Sequence, residues 1–403
     1  GVIWIGPPPR AIGAMGDKIA ARRTVEASGV PLIPGSGELP ADPEAACGQA
    51  AAIGYPVLIK AAFGGGGKGM RLCANDEELR AAVEMARQEA GRAFGNATIY
   101  LERAISHPRH VEIQILADQH GQVIHLGERE CSIQRRHQKL LEETPTPAPF
   151  AGLRDRMGRA AVAIACEIGY TNAGTVEFLV DPEGGFYFLE VNTRLQVEHP
   201  ITEAVTGIDI VRRQLRIALG ERLDIRQEQV EWRGHAIECR INAEDPARGF
   251  LPSTGWIRSV RLPAGAGARN DVGFQTGTEV TPHYDPLIGK LIIWGEDREQ
   301  AIDRALRAIR EYRIVGIQTN LPFHSWLLGH PRFRAGATDT AFLEEEFRPE
   351  EILGREEETA AILAAALAEY RGDLLIRRES ARPSSAESAW KRAGRPGPGW
   401  GNR

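Results

Sequence analysis

Thr175-Val-Glu177-Phe-Leu-Val-Asp181-Pro-Glu-Gly-Gly185-Phe-Tyr-Phe-Leu-Glu190-Val-Asn192 reads as two β-strands about a turn. β-Branched and aromatic residues fill both runs, and Pro182-Glu183-Gly184-Gly185 has turn composition. In a symmetric, unbulged hairpin Asp181 pairs with Phe186, which sets Glu177 opposite Glu190. Like charges directly opposite on one face are destabilising. The pairing makes sense where a divalent cation lies between the carboxylates. Oxygen donors of this kind suit Mg2+ or Mn2+.

The alternation runs on through Glu190, Asn192, Arg194, Gln196 and Glu198, with Val191, Thr193, Leu195 and Val197 between them. An extended backbone places the five polar residues on one side. A solvated face is the ordinary explanation of such a pattern. Two carboxylates, two amides and a guanidinium packed so closely point instead to a site.

Upstream, Gly64-Gly-Gly-Gly67-Lys68-Gly69 formally satisfies a dinucleotide-binding glycine pattern, as any glycine run does. A helix must follow such a loop, and Met70-Arg-Leu-Cys73 reads as a strand. A Walker loop fails as well, because Ala62 and Gly69 stand where glycine and serine or threonine are required. What remains is a glycine-rich hairpin able to fold over a nucleotide and offer N–H groups to phosphates. Lys60 and Lys68 flank it with positive charge. Gln134-Arg-Arg-His137-Gln-Lys139 and the strand-start His110 add cations to what the neighbouring motifs make an anion-handling cavity.

Composition excludes other classes. The 403 residues suit two or three domains and are 42% hydrophobic and 26% charged, as in ordinary folded proteins. The net charge of −5 argues against nucleic acid as the main partner. The longest apolar run, Ala360–Ala368, is far short of a membrane span, so no membrane partner is expected. Five scattered cysteines without a Cys-x-x-Cys argue against a disulfide framework or zinc ribbon. Val2–Ile5 reads as a strand at the very start, as a fragment would.

Helices are predicted over Ala11–Ser28, Asp42–Ile53, Glu77–Ala90, Arg154–Gly169, Ile208–Leu219, Arg298–Glu311 and Glu356–Arg371. Strands are predicted over Tyr55–Ala62, Gly69–Cys73, Thr98–Glu102, His110–Ala117, Val123–Glu130, Gly174–Val180, Phe186–Val191, His235–Asn242, Gly255–Leu262 and Leu287–Trp294. Arg382–Arg403 is expected to be a mobile tail. The mixture, with many hairpins, predicts an α+β fold.

Several long motifs resemble the biotin carboxylase family: Tyr55–Met70, Pro108–Gln114, Cys131–Lys139, Glu190–Pro200 and Glu238–Asp245. More narrowly, the chain resembles the biotin carboxylase portion of the α subunit of an acetyl-, propionyl- or methylcrotonyl-CoA carboxylase, over roughly residues 1–345. The resemblance implies an ATP-grasp fold with a C-terminal biotin carboxylase domain and an N-terminal lobe that is largely missing. The domains it implies are 1–14 as a remnant of that lobe and 15–230 as the ATP-grasp domain, with a glycine-rich lid over about 35–105. Residues 231–345 would be the C-terminal domain, and 346–403 a helix and linker tail.

It also implies roles. Lys18 and Lys60 would contact ATP phosphates beneath Gly66 and Gly67. Glu102, Arg103, Ala104 and Ile105 would form the adenine-side strand, and His110 and His137 would line the nucleotide pocket. Glu177, Glu190 and Asn192 would hold Mg2+ or Mn2+. Lys139, Arg194, Gln196 and Val197 would bind bicarbonate, Glu198 would deprotonate it, and Arg240 would bind biotin. Lys139, Arg194, Glu198 and Arg240 form the implied catalytic set. The substrates would be ATP, bicarbonate and biotin supplied on a carrier domain, and the reaction would pass through carboxyphosphate. Partners would be a biotin carboxyl carrier, a second copy in a homodimer or larger complex, and a carboxyltransferase subunit, in the cytoplasm. The alternatives are another ATP-grasp ligase of the carbamoyl-phosphate synthetase type, or a fragment that binds Mg-ATP without turnover.

Overall fold

Residues 1–64, 70–352 and 362–371 are described by a computed structural model. Asp17 decides how the first helical stretch folds. In place of one helix over Ala11–Ser28 there are two, α1 (Pro9–Gly16) and α2 (Lys18–Ala27). The Asp17 backbone is extended, and its carboxylate accepts from the N–H groups of Ile19 and Ala20 at 2.8 and 3.2 Å. That is an N-cap, and it starts a new helix where periodicity alone continued the old one. The strand expected at Val2–Ile5 does not form. Those residues are exposed and pair with no strand among the described residues.

A four-stranded sheet follows: β1 (Gly35–Glu38), β2 (Val57–Ala61), β3 (Arg71–Cys73) and β4 (Ile99–Arg103), in the order β1-β4-β2-β3. Helices α3 (Pro43–Ile53) and α4 (Asp76–Phe94) supply the other half of its core. Val57, Ile59, Ile99 and Leu101 are fully buried against Ala46, Ala50, Leu79, Val83 and Ala86. Each large side chain there contributes about 1.5–3 kcal/mol. The Asn75 side chain accepts the Glu78 N–H at 3.0 Å and caps α4. Gly64, at φ +87°, enters the loop between β2 and β3 so close to the Phe94 ring that a Cβ would collide with it.

The second sheet has eight strands: β5 (Arg109–Ala117), β6 (Val123–Arg135), β7 (Gln138–Thr144), β8 (Asn172–Val180), β9 (Phe186–Asn192), β10 (His235–Asn242), and two strands from further along the chain. Those two come after β11 (Glu244–Asp245), which pairs with β12 (Leu251–Pro252), and after β13 (Gly255–Trp256) and β14 (Ser259–Arg261). They are β15 (Ala268–Val272) and, beyond β16 (Glu279–Val280), β17 (Leu287–Gly295). The order is β15-β17-β10-β7-β6-β5-β8-β9, antiparallel throughout. The expected strand Gly255–Leu262 divides because it changes partner at the buried Ile257. β13 pairs with β16, and β14 pairs with β18 (Arg313–Val315).

Alternation gives the sheet its two faces. Val111, Ile113 and Ile115 of β5 and Val176, Phe178 and Val180 of β8 are buried against Met157, Ala161 and Ile164 of α5 (Leu153–Glu167). His110, Glu112, Gln114, Thr175 and Glu177 occupy the alternate positions. Helices α6 (His199–Thr206) and α7 (Ile210–Ala218) follow β9. Helices α8 (Arg298–Glu311) and α9 (Leu321–Gly329) follow β17.

The β8–β9 hairpin is bulged, not symmetric. Val180, rather than Asp181, pairs with Phe186, and Phe178 pairs with Phe188. Asp181 closes the turn, its carboxylate accepting the Gly185 N–H at 2.6 Å. One extra residue, Leu189, then restores Glu177 opposite Glu190 and Thr175 opposite Asn192. Burial requires it. Phe188 and Val191 both join the core under α5, an odd spacing that a two-residue period cannot satisfy.

The chain divides into two compact units, Gly1–Pro349 and Glu350–Arg403. In the second unit residues 362–371 are helical and exposed. The rest of the expected Glu356–Arg371 helix, and the tail from Arg382, lie outside the described residues. Among the described residues no helix is long and apolar enough to cross a membrane.

Candidate active site

Lys139, near the start of β7, sits at the centre of three carboxylates. Its Nζ donates to Glu112 Oε2 at 2.6 Å, Glu177 Oε1 at 2.9 Å and Glu198 Oε1 at 2.7 Å. Burial alone would lower the lysine. The acidic groups around it, Cys131 and the three glutamates, outweigh burial and hold the ammonium well above the usual lysine range. The other oxygen of Glu198 accepts from Arg240 Nη2 at 2.9 Å. Burial would raise Glu198. Lys139, Arg240 and Arg129 together keep its carboxyl well below the usual range.

Glu177 is similarly committed. Its Oε1 also accepts from Asn192 Nδ2 and Gln196 Nε2, each at 2.9 Å, and its Oε2 lies 3.1 Å from His110 Nε2. Against burial, Lys139 and His110 hold Glu177 well below the usual range. Burial would lower His110, but the Glu177 charge reverses this and raises it. Burial and the adjacent Glu177 push Glu190 up, and Lys18 at 3.8 Å partly offsets them.

The hairpin thus brings Glu177, Glu190 and Asn192 together on one face. Two carboxylates and a side-chain amide, with an excess of negative charge at Glu190, form an all-oxygen donor set that fits Mg2+ or Mn2+. His110, Glu112 and Glu177 also present ligating atoms within 4.8 Å of one another, as do Glu112, Cys131 and Glu198. Lys139 touches the glutamates of both groups.

The expected five-residue face ends at Asn192. Beyond it the backbone leaves the strand and turns into α6, so Arg194 is exposed while Gln196 and Glu198 are buried. Arg194 donates to Leu195 O at 3.1 Å and to Asn192 Oδ1 at 3.3 Å. The Val197 carbonyl accepts from Lys290 Nζ at 2.7 Å.

On the small sheet, Lys60 Nζ is buried and donates to Glu102 Oε2 at 2.5 Å, while Arg22 donates to Oε1. Lys18 Nζ donates to Gly64 O at the loop entrance. Arg103 ends β4, and Ala104 and Ile105 follow it, the Ala104 N–H donating to Pro56 O at 2.9 Å. Gly66 and Gly67 lie outside the described residues. The basic run resolves into the β6–β7 hairpin. Its two turn residues, Arg136 and His137, are both left-handed at φ +50° and +65°. Non-glycine residues adopt that conformation at a cost, which is common at functional sites. Partial burial, and then the Lys60 and His110 charges, hold His137 below the usual histidine range.

Residues the motif reading left without roles complete the cluster. Arg129 is fully buried and donates to Glu112 Oε1 at 2.5 Å, Gln114 Oε1 at 2.7 Å, Thr202 Oγ1 at 3.0 Å, and Thr175 Oγ1 and Gln196 Oε1 at 3.1 Å. Glu142 accepts from Arg240 Nε at 2.6 Å. Glu238 faces Glu142 across β7 and β10, and neither of its oxygens has a hydrogen-bond partner among the described residues. Burial, then Glu142, push it well above the usual carboxylate range. The signal for Glu112 and Gln114 was present in the sequence: polar residues alternating with apolar ones along Arg109–Ala117. Nothing local marked Arg129, Glu142 or Lys290, whose partners lie far away in the chain.

Two family models match the chain: the ATP binding domain of the carbamoyl-phosphate synthase L chain over residues 17–226, and the biotin carboxylase C-terminal domain over 238–345. The chain is 54% identical over 344 residues to a biotin carboxylase of Nostoc sp., covering 85% of this chain and 77% of that one. It is 51% identical over 343 residues to a biotin carboxylase of Halalkalibacterium halodurans, covering 85% and 76%. Among solved structures, it is similar to the biotin carboxylase domain dimer of Hydrogenobacter thermophilus 2-oxoglutarate carboxylase in complex with MgADP, ADP and bicarbonate. That match has 48% identity and a TM-score of 0.83, over 86% of this chain and 76% of the other. A Campylobacter jejuni biotin carboxylase in a β-γ-ATP complex gives 46% identity and a TM-score of 0.83, over 86% and 77%.

Proposed function

Because the chain belongs to the biotin carboxylase family, we propose that the cluster around Lys139, Glu198 and Arg240 is where it performs the family's reaction. The chain is an ATP-dependent ligase that uses bicarbonate to carboxylate carrier-borne biotin through carboxyphosphate. The observation that carries the site assignment is one carboxylate, Glu198, held between Lys139 on one oxygen and Arg240 on the other.

Bicarbonate enters between these cations, which also accept the negative charge that develops as it attacks the γ-phosphoryl group. Glu198 takes the bicarbonate proton. Lys139 and Arg240 keep Glu198 ionised and so ready to accept that proton, and anions bound to those cations raise its proton affinity. Lys139, Arg194, Gln196 and Val197 bind the anion. Carboxyphosphate then yields CO2 and phosphate. The phosphate removes the biotin ureido proton while Arg240 stabilises the enolate-like oxygen that captures CO2. Glu177, Glu190 and Asn192 would hold the divalent ion, which when bound neutralises phosphate charge. Lys18 and Lys60 reach the phosphates, His110 and His137 line the pocket, and Glu102 to Ile105 edge the adenine. The four-stranded sheet, as part of the lid, excludes water during the reaction.

Domains follow the same reading. Residues 15–230 form the ATP-grasp part with a lid over about 35–105, and 231–345 the C-terminal part. The two family-model matches and the separate four-stranded sheet support these limits. A biotin carboxyl carrier, a second copy and a carboxyltransferase subunit are the partners, in the cytoplasm. The dimeric biotin carboxylase domain of the 2-oxoglutarate carboxylase supports the second copy. Incorporation of labelled bicarbonate into biotin, with ATP cleavage dependent on bicarbonate and stimulated by biotin, tests the assignment. ATP cleavage indifferent to both would overturn it.

A further inference from the structure

The general-base loop is gripped from outside the ATP-grasp segment. Arg240 of β10 and Lys290 of β17 are direct cross-strand partners. Cross-strand partners project to the same face. From that face Arg240 Nη2 donates to the Glu198 side chain at 2.9 Å, and Lys290 Nζ donates to the Val197 carbonyl at 2.7 Å. Two adjacent cations of one sheet thus hold two consecutive residues of one loop. Lys290 is itself braced by Asp271 of β15 at 3.8 Å, and Asp271 by Arg269 at 2.8 Å. The preceding carbonyl is held as well: Gln196 O accepts from the His199 ring Nδ1 at 2.9 Å.

In a planar trans peptide the carbonyl of one residue and the N–H of the next point in opposite directions. Fixing Gln196 O therefore aims the Val197 N–H, and fixing Val197 O aims the Glu198 N–H, each away from the group that holds the carbonyl. Successive N–H groups of a turn form an anion-binding concavity, and Val197 and Glu198 are the turn residues that lead into α6.

We infer that Lys290, assisted by His199, is a positioning residue that sets the Val197 and Glu198 amides for bicarbonate, so that strand β17 controls bicarbonate use without touching the substrate. This rests on the proposed bicarbonate role of Val197 and Glu198. The ammonium does its work as a donor to a carbonyl, so Lys290→Met removes donor and charge at similar length, and Lys290→Arg retains both.

Bicarbonate-dependent ATP cleavage, ATP formation from ADP and carbamoyl phosphate, and broadening of the 13C-bicarbonate signal by the protein test the inference. Carbamoyl phosphate enters as a preformed acyl phosphate, so its reaction needs no deprotonation of bicarbonate. K290M should slow bicarbonate-dependent cleavage by roughly 10–100-fold with weaker bicarbonate broadening, a loss on the scale seen when a group that orients a metal ligand is removed. ATP formation from carbamoyl phosphate should fall less than bicarbonate-dependent cleavage, and K290R should recover most of the loss. Equal loss of both activities in K290M would mark a merely structural lysine and overturn the inference. So would bicarbonate use unchanged from the wild type. A wild-type chain that neither cleaves ATP with bicarbonate nor binds the anion would overturn the underlying functional reading instead.

Discussion

At the residue scale the site is a set of charges that hold one another. Glu198 is the sharpest test. Glu198→Gln keeps the shape and removes the basic oxygen, so bicarbonate-dependent ATP cleavage should fall about 10²–10⁴-fold while Mg-ATP affinity changes little. Normal turnover in steady-state assays would refute the assigned base. Glu142 acts at one remove, through Arg240. Glu142→Gln should raise the KM for biotin roughly 10-fold, with less effect on biotin-independent ATP cleavage, because it loosens the group that meets biotin. His324 of α9 is fully buried and meets the Arg240 carbonyl at 2.8 Å through Nε2. Burial holds it down at about 4. The unfolded chain therefore binds a proton there below about pH 6.5 that the fold refuses, and stability falls as pH drops from about 6.5 towards 4. The full effect is roughly 3 kcal/mol. His324→Gln should flatten that part of an acid-denaturation curve measured by circular dichroism. An unchanged slope would remove His324 as its source.

At the element scale, α5 and the lower face of β5 and β8 form the core that holds the reacting face flat. Met157→Ala should cost about 2–5 kcal/mol in urea unfolding, since Met157 is fully buried there. Asp17→Ala should cost about 0.5–2 kcal/mol and fray α2 at Lys18, next to the loop entrance. Much of this level was legible in the sequence. The hairpin, the Glu177–Glu190 pairing, β10 and α8 all follow from periodicity and turn residues. The pairing is right although the assumed turn is one residue out, because Leu189 corrects a register that local pattern had no means to see. The two helices meeting at Asp17 were hidden by a continuous apolar period. The strand expected at Val2–Ile5 failed because propensity cannot supply a partner. Likewise Lys139 and Glu198 stood inside recognisable motifs, whereas Arg129 and Glu142 act through partners on other strands and carry no local mark.

At the scale of the whole molecule, the two matched regions share one sheet. β7 belongs to the first and β10 to the second, and they are hydrogen-bonded neighbours. The C-terminal region thus supplies three strands, β10, β15 and β17, of a continuous eight-stranded sheet. Residues 231–345 produced alone should lack a cooperative thermal transition and should gain one on coexpression with residues 1–230. Calorimetry that finds the isolated part cooperatively folded would contradict the shared-sheet account. The same topology sets a schedule for synthesis. A chain emerging from the ribosome as far as Thr206 already carries Glu112, Glu177 and Glu198 with Arg129 and Lys139, but neither Arg240 nor Lys290. Contacts of such long sequence separation close late. Translation must therefore pass well beyond the ATP-grasp segment before Arg240 and Lys290 add their grip to the base loop, which until then is held by Lys139, Arg129 and His199.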